Sequence, residues 1–208
     1  VGVYAGTFNT SGVGASYTGT AAGALPGFLA DDGANTLTVT KAPLTVAAND
    51  KTREYGAADP VFNTTITGFQ NGETLLTSDV TGSPVCTSTA TVNSPVTGSP
   101  YPITCAIGTL ASNNYSFTFV QGNLNITPAA LTITASSDTM VYGGIVPTIT
   151  PIYSGLQAGD IASATPPTCS TTATSASPVG SYPSSCSGAV NPNYTIVVAS
   201  YVDGTVTV

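Results

Sequence analysis

An internal repeat constrains this chain more than any other feature of its sequence. The segment 43–73, PLTVAANDKTREYGAADPVFNTTITGFQNGE, aligns without gaps on the segment 130–160, ALTITASSDTMVYGGIVPTITPIYSGLQAGD, at an offset of 87 residues. Because a repeated sequence predicts a repeated structural unit, the chain should contain two copies of one domain. Each copy contains a Tyr-Gly pair, and the two pairs are Tyr55-Gly56 and Tyr142-Gly143.

The repeat also predicts the domain boundaries. We place the first full repeat at 42–128 and the second at 129–208, since the restart at Leu44 aligns with the restart at Leu131. The preceding residues 1–41 resemble only the closing part of a repeat, which predicts an incomplete β-repeat there. Its missing half would come either from a preceding half-repeat or from a strand of a neighbouring chain.

Alternating apolar and β-branched residues between Gly, Pro, Asn and Asp predict strands, and no segment has the apolar spacing of a helix. In the first repeat we expect strands near 43–48, 61–67, 85–92, 101–107, 115–121 and 123–127. The predicted fold is therefore all-β, with tandem antiparallel β-sandwich domains of immunoglobulin-like type. The short junctions around Pro43 and Pro128 lack the Gly/Ser content of a flexible linker, so we expect the domains to form a semi-rigid rod.

A cluster of charge surrounds the first Tyr-Gly pair. The stretch 49–60, NDKTREYGAADP, contains Lys51 and Arg53, two of the three basic residues of the chain. The aligned stretch 136–147, SSDTMVYGGIVP, keeps Tyr-Gly and loses these charges. We therefore interpret the charges as exposed and dispensable, and the glycine of each pair as the residue of a turn that requires a positive φ.

The four cysteines recur as one pair in each repeat. Four cysteines allow three pairings, and pairing within each repeat is favoured because equivalent positions recur. The predicted disulfides are Cys86–Cys105 and Cys169–Cys186. Disulfides of this kind indicate an extracellular location.

Composition and motifs exclude several classes of function. With 10 acidic and 3 basic residues, the chain lacks the basic surface that a nucleic acid requires. No apolar run is long enough for a membrane span. Histidine is absent and no carboxylate pair recurs, so we expect neither an enzyme nor a cofactor or metal site. Calcium stays an open alternative, with Asp31, Asp32, Asp50 and Asp59 as possible ligands.

Candidate N-glycosylation sequons occur in both repeats and in the first forty residues. Their number is little above what this Asn-, Ser- and Thr-rich composition produces by chance, so they are weak evidence. The positions are Asn9, Asn63, Asn114, Asn125 and Asn193.

The order of these landmarks resembles a known family. Tyr-Gly, the GFQNGE stretch, the NNYSFTFVQGNLNIT ending and the restart at PAALTIT are similar to the mostly-beta, glycine-rich (MBG) repeats of bacterial surface adhesins. The resemblance implies a structural segment of an extracellular fibre or adhesin stalk, on or outside a bacterial cell. Its partners would be flanking repeats or other copies of itself, with surface glycans or a host surface bound through other regions. The alternatives are a subunit that polymerises head to tail by strand complementation and a carbohydrate- or partner-binding module.

Overall fold

A computed structural model describes residues 40–157, 159–160 and 164–208. The first repeat contains β1 (Ala42–Ala48), β2 (Lys51–Glu54), β3 (Thr64–Thr67), β4 (Val85–Ser88), β5 (Tyr101–Ala106), β6 (Tyr115–Val120) and β7 (Gly122–Thr127). The second contains β8 (Ala129–Ala130), β9 (Thr132–Ala135), β10 (Asp138–Thr139), β11 (Pro151–Ser154), β12 (Thr168–Thr171), β13 (Ser181–Ser187), β14 (Tyr194–Thr195), β15 (Tyr201–Val202) and β16 (Gly204–Thr207). The helical segments of the described residues are two short 3-10 turns, Val96–Gly98 and Val198–Ser200. The all-β prediction is confirmed.

The strands of the first repeat follow the predicted positions with one exception. Strand β2 is absent from the prediction, because its buried position is occupied by Arg53 and not by an apolar residue. Elsewhere the alternation of the sequence becomes an alternation of burial: Leu44 and Val46 of β1 and Leu124 of β7 are buried while their neighbours are more exposed.

The prediction of purely antiparallel sheets is wrong. The first strands of each repeat run parallel to its last strands: β1 pairs with β6 and β2 with β7, as β8 pairs with β14, β9 with β15 and β10 with β16. Antiparallel pairs include β1 with β3, β5 with β7, β9 with β11, β12 with β13 and β13 with β16. The sheets are therefore mixed.

The physical reason for this error is that alternation reports burial and not strand direction. A parallel pair needs a long connection, and here the middle of each repeat supplies it. In the first repeat Ala42 lies opposite Tyr115 and Lys51 opposite Leu124, the same offset of 73 residues in both ladders (115 − 42 and 124 − 51).

The described residues form two compact units that divide the chain differently from the sequence repeats. The first unit includes 40–48, 63–86 and 104–121, and its core contains Leu44, Val46, Val80, Leu110 and Tyr115. The second unit includes 49–62, 87–103, 122–157, 159–160 and 164–208. Its core joins residues of both repeats, since Tyr55 and Ile126 of the first repeat pack with Leu131, Ile133 and Tyr194 of the second.

Two sequence predictions fall on residues that the structure does not describe. The incomplete repeat predicted at 1–41 lies almost entirely outside them, as does Asn9. Among the residues that are described, no helix has the length and apolar character needed to cross a membrane.

Candidate functional site

Both Tyr-Gly pairs form the same turn but have different surroundings. Gly56 and Gly143 each have φ of +78°, the left-handed region that glycine adopts without strain. Their amides donate to carbonyl oxygens of the same repeat, from Gly56 to Val92 at 3.1 Å and from Gly143 to Ser175 at 2.9 Å. Tyr55-Gly56 is the first tip and Tyr142-Gly143 the second tip.

The first tip is covered by the second repeat. Tyr55 is 3% exposed, and its ring lies edge-on to the ring of Tyr194, with centroids 5.5 Å apart and planes at 78°. This is the geometry that aromatic pairs favour. The Tyr55 hydroxyl donates to Asp160 Oδ1 at 3.1 Å, and the Tyr194 hydroxyl donates to Asp160 Oδ2. One carboxylate therefore accepts a phenol from each repeat.

Tyr194, Asp160 and Gln157 form the receptor for this tip, the second tyrosine socket. The backbone N–H of Gln157 donates to the Tyr194 hydroxyl oxygen at 2.9 Å, which holds the phenol in place while it donates to Asp160. The side chain of Gln157 lies directly against the face of Gly56, where a Cβ atom would overlap it. Glycine at the first tip therefore satisfies both the backbone angle and the close approach of the second repeat.

Burial raises the pKa of both phenols at this site. Burial, followed by the hydrogen bond to Asp160, raises the pKa of Tyr194 to about 12. The same causes, in the same order, raise the pKa of Tyr55, while a hydrogen bond with Asn193 acts in the opposite direction. Both hydroxyls therefore stay protonated at neutral pH and remain donors to the carboxylate.

An equivalent socket occurs in the first repeat, inside the first unit. Gln70 N–H donates to the Tyr115 hydroxyl at 3.0 Å, and that hydroxyl donates to Glu73 Oε2 at 2.6 Å. Phe69 lies edge-on to Tyr115, with centroids 5.7 Å apart. Tyr115, Glu73 and Gln70, the first tyrosine socket, correspond in sequence to the members of the second socket, so the socket is a property of the repeat.

Backbone hydrogen bonds lie on both sides of Pro128, the one residue that joins the last strand of the first repeat to the first strand of the second. Strand β7 ends at Thr127, whose carbonyl accepts the Tyr55 N–H at 2.8 Å, and β8 begins at Ala129, whose N–H donates to the Asn193 carbonyl at 3.0 Å. Only Pro128 lies between them. The side chain of Asn193 adds a further bond across the repeats, since its Oδ1 accepts the Val96 N–H at 3.0 Å.

Comparison with protein families identifies the repeat unit. A family model described as "MBG domain (YGX type)" matches residues 44–125 and 131–207, well over half of the chain. The chain belongs to the MBG domain family. The Tyr-Gly of the YGX description corresponds to the two tips, and membership indicates a repeat domain of a surface protein. No curated protein matches the chain significantly.

In the charge cluster of the first MBG repeat, the prediction of exposed charges is wrong for Arg53, which is buried, whereas Glu54 is exposed as predicted. The Arg53 side chain is 3% exposed, and its Nε donates to Asp59 Oδ1 at 2.6 Å. Its remaining nitrogens donate to the carbonyls of Thr91 at 2.6 Å and Glu54 at 3.2 Å. A buried guanidinium needs such partners, so Arg53 is part of the packing. The aligned positions of the second repeat hold Met140 and Val146, an apolar alternative to the ion pair.

The structure contains both disulfides within single MBG repeats. Cys169 and Cys186 lie opposite each other on the antiparallel strands β12 and β13. Cys86 and Cys105 join the adjacent strands β4 and β5. Each bond therefore closes a local pair of strands, with 19 residues of separation in the first repeat and 17 in the second.

The other candidate residues do not form one site. Asn63, Asn114 and Asn125 are exposed, whereas Asn193 is half-buried in the contact between the repeats. Of the calcium candidates, Asp50 accepts the Asn123 N–H at 2.7 Å and Asp59 binds Arg53, while Asp31 and Asp32 lie outside the described residues. No group of three or more His, Cys, Asp or Glu side chains comes together as metal ligands would, in the part of the chain that is described.

Asp160 and Glu73 were not predicted as site residues, and the contact between Asp160 and Tyr55 was not predicted either. A signal was present, because Glu73 and Asp160 occupy aligned positions and both are acidic, as Gln70 and Gln157 are both glutamine. The alignment could not show which residue Asp160 contacts, because Tyr55 lies 105 residues before it in the chain.

Proposed function

We propose that this chain is a structural segment of an extracellular fibre or adhesin stalk, in which successive MBG repeats supply length and stiffness and no chemical reaction is catalysed. The observation that supports this most is the covered first tip. Tyr55 belongs to the first repeat and completes the core of the second, so one repeat cannot turn freely against the next within the second unit.

The backbone supports the same proposal. A flexible linker needs several residues without hydrogen-bonded partners. Here Thr127 and Ala129 both have backbone partners, and the residue between them is a proline, whose φ is restricted. Bending at this point would require loss of the Tyr55–Asp160 hydrogen bond, the ring contact or a strand pair. The cost of those losses is what would make the segment stiff.

The disulfides and the family support an extracellular location. Structural disulfides persist in oxidising compartments, and MBG repeats indicate a surface protein. The low content of basic residues leaves few sites for trypsin-like proteases, which suits a segment exposed outside the cell.

The carbohydrate-binding alternative receives no support from the tyrosines of the strands. Tyr101 and Tyr182 each donate their hydroxyl to a carbonyl of their own repeat, Pro95 and Pro178, both at 2.9 Å. Strand complementation through residues 1–41 stays a prediction, since those residues lie almost entirely outside the described part.

Stiffness can be tested by measuring a distance between the two repeats. Nitroxide labels at the exposed positions Thr52 and Thr205, attached through encoded keto amino acids, would leave the four cysteines in their disulfides. Pulsed electron resonance on the full chain should give one narrow distance distribution. Tyr55→Ala should broaden it, and the matched control Tyr142→Ala should not. A broad distribution in the unmodified chain would contradict the proposal.

A further inference from the structure

The second tip has an exposed apolar surface. Tyr142 is 67% exposed, and Val141 and Ile145 beside it are 76% and 92% exposed. Val146 completes the patch. Large apolar side chains grouped on a surface indicate a contact site, whereas single ones do not.

The first tip shows what covers such a surface. Both tips have the same φ at their glycine, and in both the glycine N–H donates to a carbonyl of its own repeat. Tyr55 is nevertheless buried and Tyr142 is exposed. The difference lies in the neighbour: the second tyrosine socket lies against the first tip. At Gly56 an added Cβ would meet Gln157, whereas at Gly143 it would meet nothing within 4 Å.

The second tip is more apolar than the first. The positions of Glu54, Ala58 and Asp59 in the first repeat are occupied in the second by Val141, Ile145 and Val146. Each replacement adds apolar surface, and all three of the new side chains are exposed. Their counterparts in the first repeat stay exposed beside the covered Tyr55, so the contact that the two tips would share is that of the tyrosine and the glycine.

We propose that the second tip is a docking site for a further MBG repeat, with Tyr142 entering that repeat's tyrosine socket as Tyr55 enters the socket of the second repeat. The phenol of Tyr142 would donate to one oxygen of the socket carboxylate, and the socket tyrosine would donate to the other. This inference rests on the proposed function, since it extends the same contact along a series of repeats.

Register indicates where the further repeat would join. In strand β16, Gly204 corresponds to Gly122 of β7 and Val206 to Leu124, so Val208 corresponds to Ile126. A second copy of residues 127–208 joined directly after Val208 would therefore repeat the connection through Pro128. In the existing connection the carbonyl of Thr127 accepts the Tyr55 N–H, and the added Thr127 should accept the Tyr142 N–H in the same way.

The test compares the full chain with this extended chain. Tyrosine nitration mapped by mass spectrometry should modify Tyr142 in the original chain and spare Tyr55. In the extended chain Tyr142 should lose its reactivity and reach the level of Tyr55. The matched control carries Asp160→Ala and Tyr194→Ala in the added copy alone, and there Tyr142 should become reactive again.

Other outcomes would overturn the inference. Hydrogen exchange and disulfide mapping would show whether the added copy is folded. If the added copy is folded and Tyr142 is still nitrated as in the original chain, Tyr142 does not dock. An added copy that stays unfolded also contradicts it, because the second tip should complete its core. Concentration-dependent protection of Tyr142 in the unextended chain would identify a second copy in trans as the partner instead. The nitroxide distance between Thr52 and Thr205 reports the first tip only, so it separates failure of this inference from failure of the proposed function.

Discussion

Replacing Tyr55 by alanine should destabilise the second repeat far more than the same change at Tyr142. The two residues occupy equivalent positions, so the pair separates the effect of the contact from the effect of the residue type. Tyr55 is 3% exposed and belongs to a continuous core, whereas most of Tyr142 is in water.

The magnitude follows from what each side chain contacts. Truncating a buried aromatic ring costs about 3–5 kcal/mol, through lost burial and the cavity that remains. The lost hydrogen bond to Asp160 adds little, because that carboxylate is half-buried and water can replace the phenol. We therefore expect a loss of about 4 kcal/mol for Tyr55→Ala and about 1 kcal/mol for Tyr55→Phe, which keeps the ring. For Tyr142→Ala we expect a change within about 0.5 kcal/mol.

A local measurement suits this prediction, because two compact units need not unfold as one. Hydrogen exchange of the amides in 129–135 reports the free energy of opening at the position where the repeats join. Tyr55→Ala should lower that protection strongly. Equal effects of Tyr55→Ala and Tyr142→Ala, or unchanged exchange after Tyr55→Ala, would refute the view that the first tip completes the core of the second repeat.

Three further predictions concern neighbouring residues. Asp59→Val alone should cost about 3 kcal/mol because it leaves the buried Arg53 without its carboxylate, whereas Arg53→Met with Asp59→Val, which copies the second repeat, should stay within about 1 kcal/mol of the original in urea unfolding. Gly56→Ala should destabilise more than Gly143→Ala, since both strain the positive φ and only the former meets a neighbouring side chain; thermal unfolding that ranks them in reverse would contradict this. The raised pKa of Tyr194 means that its protonated form is stabilised by folding, so stability should be intact below the unfolded value of about 10 and fall as the pH rises towards about 12; Tyr194→Phe should flatten this loss in pH-dependent unfolding.

Strands, turns and disulfides could be predicted because they depend on residues close in sequence or on the comparison of the two copies. Alternation along Leu44–Val46 is enough to predict a strand with one buried face. The repeated Cys pairs predicted the disulfides, because equivalent cysteines in two copies favour pairing within each copy. The Tyr-Gly pair predicted a turn at both tips, since glycine adopts a positive φ without steric cost.

Arg53 shows where the comparison of copies misled. Its replacement by Met140 suggested a dispensable surface charge, but both residues have a long apolar stem that can pack against the protein. Burial of the guanidinium depends on Asp59 and on the Thr91 carbonyl, and the latter lies 38 residues away. The substitution therefore replaced a buried, paired guanidinium by Met140, a partly buried apolar side chain that packs against the core.

The sequence by itself determined that the chain is all-β, that it contains two MBG repeats and where its turns and disulfides lie, because these follow from local backbone preferences and from internal similarity. Only the tertiary structure decided that β1 lies parallel to β6, that Arg53 is inside and that Tyr55 is covered while Tyr142 is exposed. Two tyrosines in identical local turns acquire opposite environments because burial depends on which surface packs against them. For Tyr55 that surface includes Asp160 and Tyr194, more than 100 residues further along the chain.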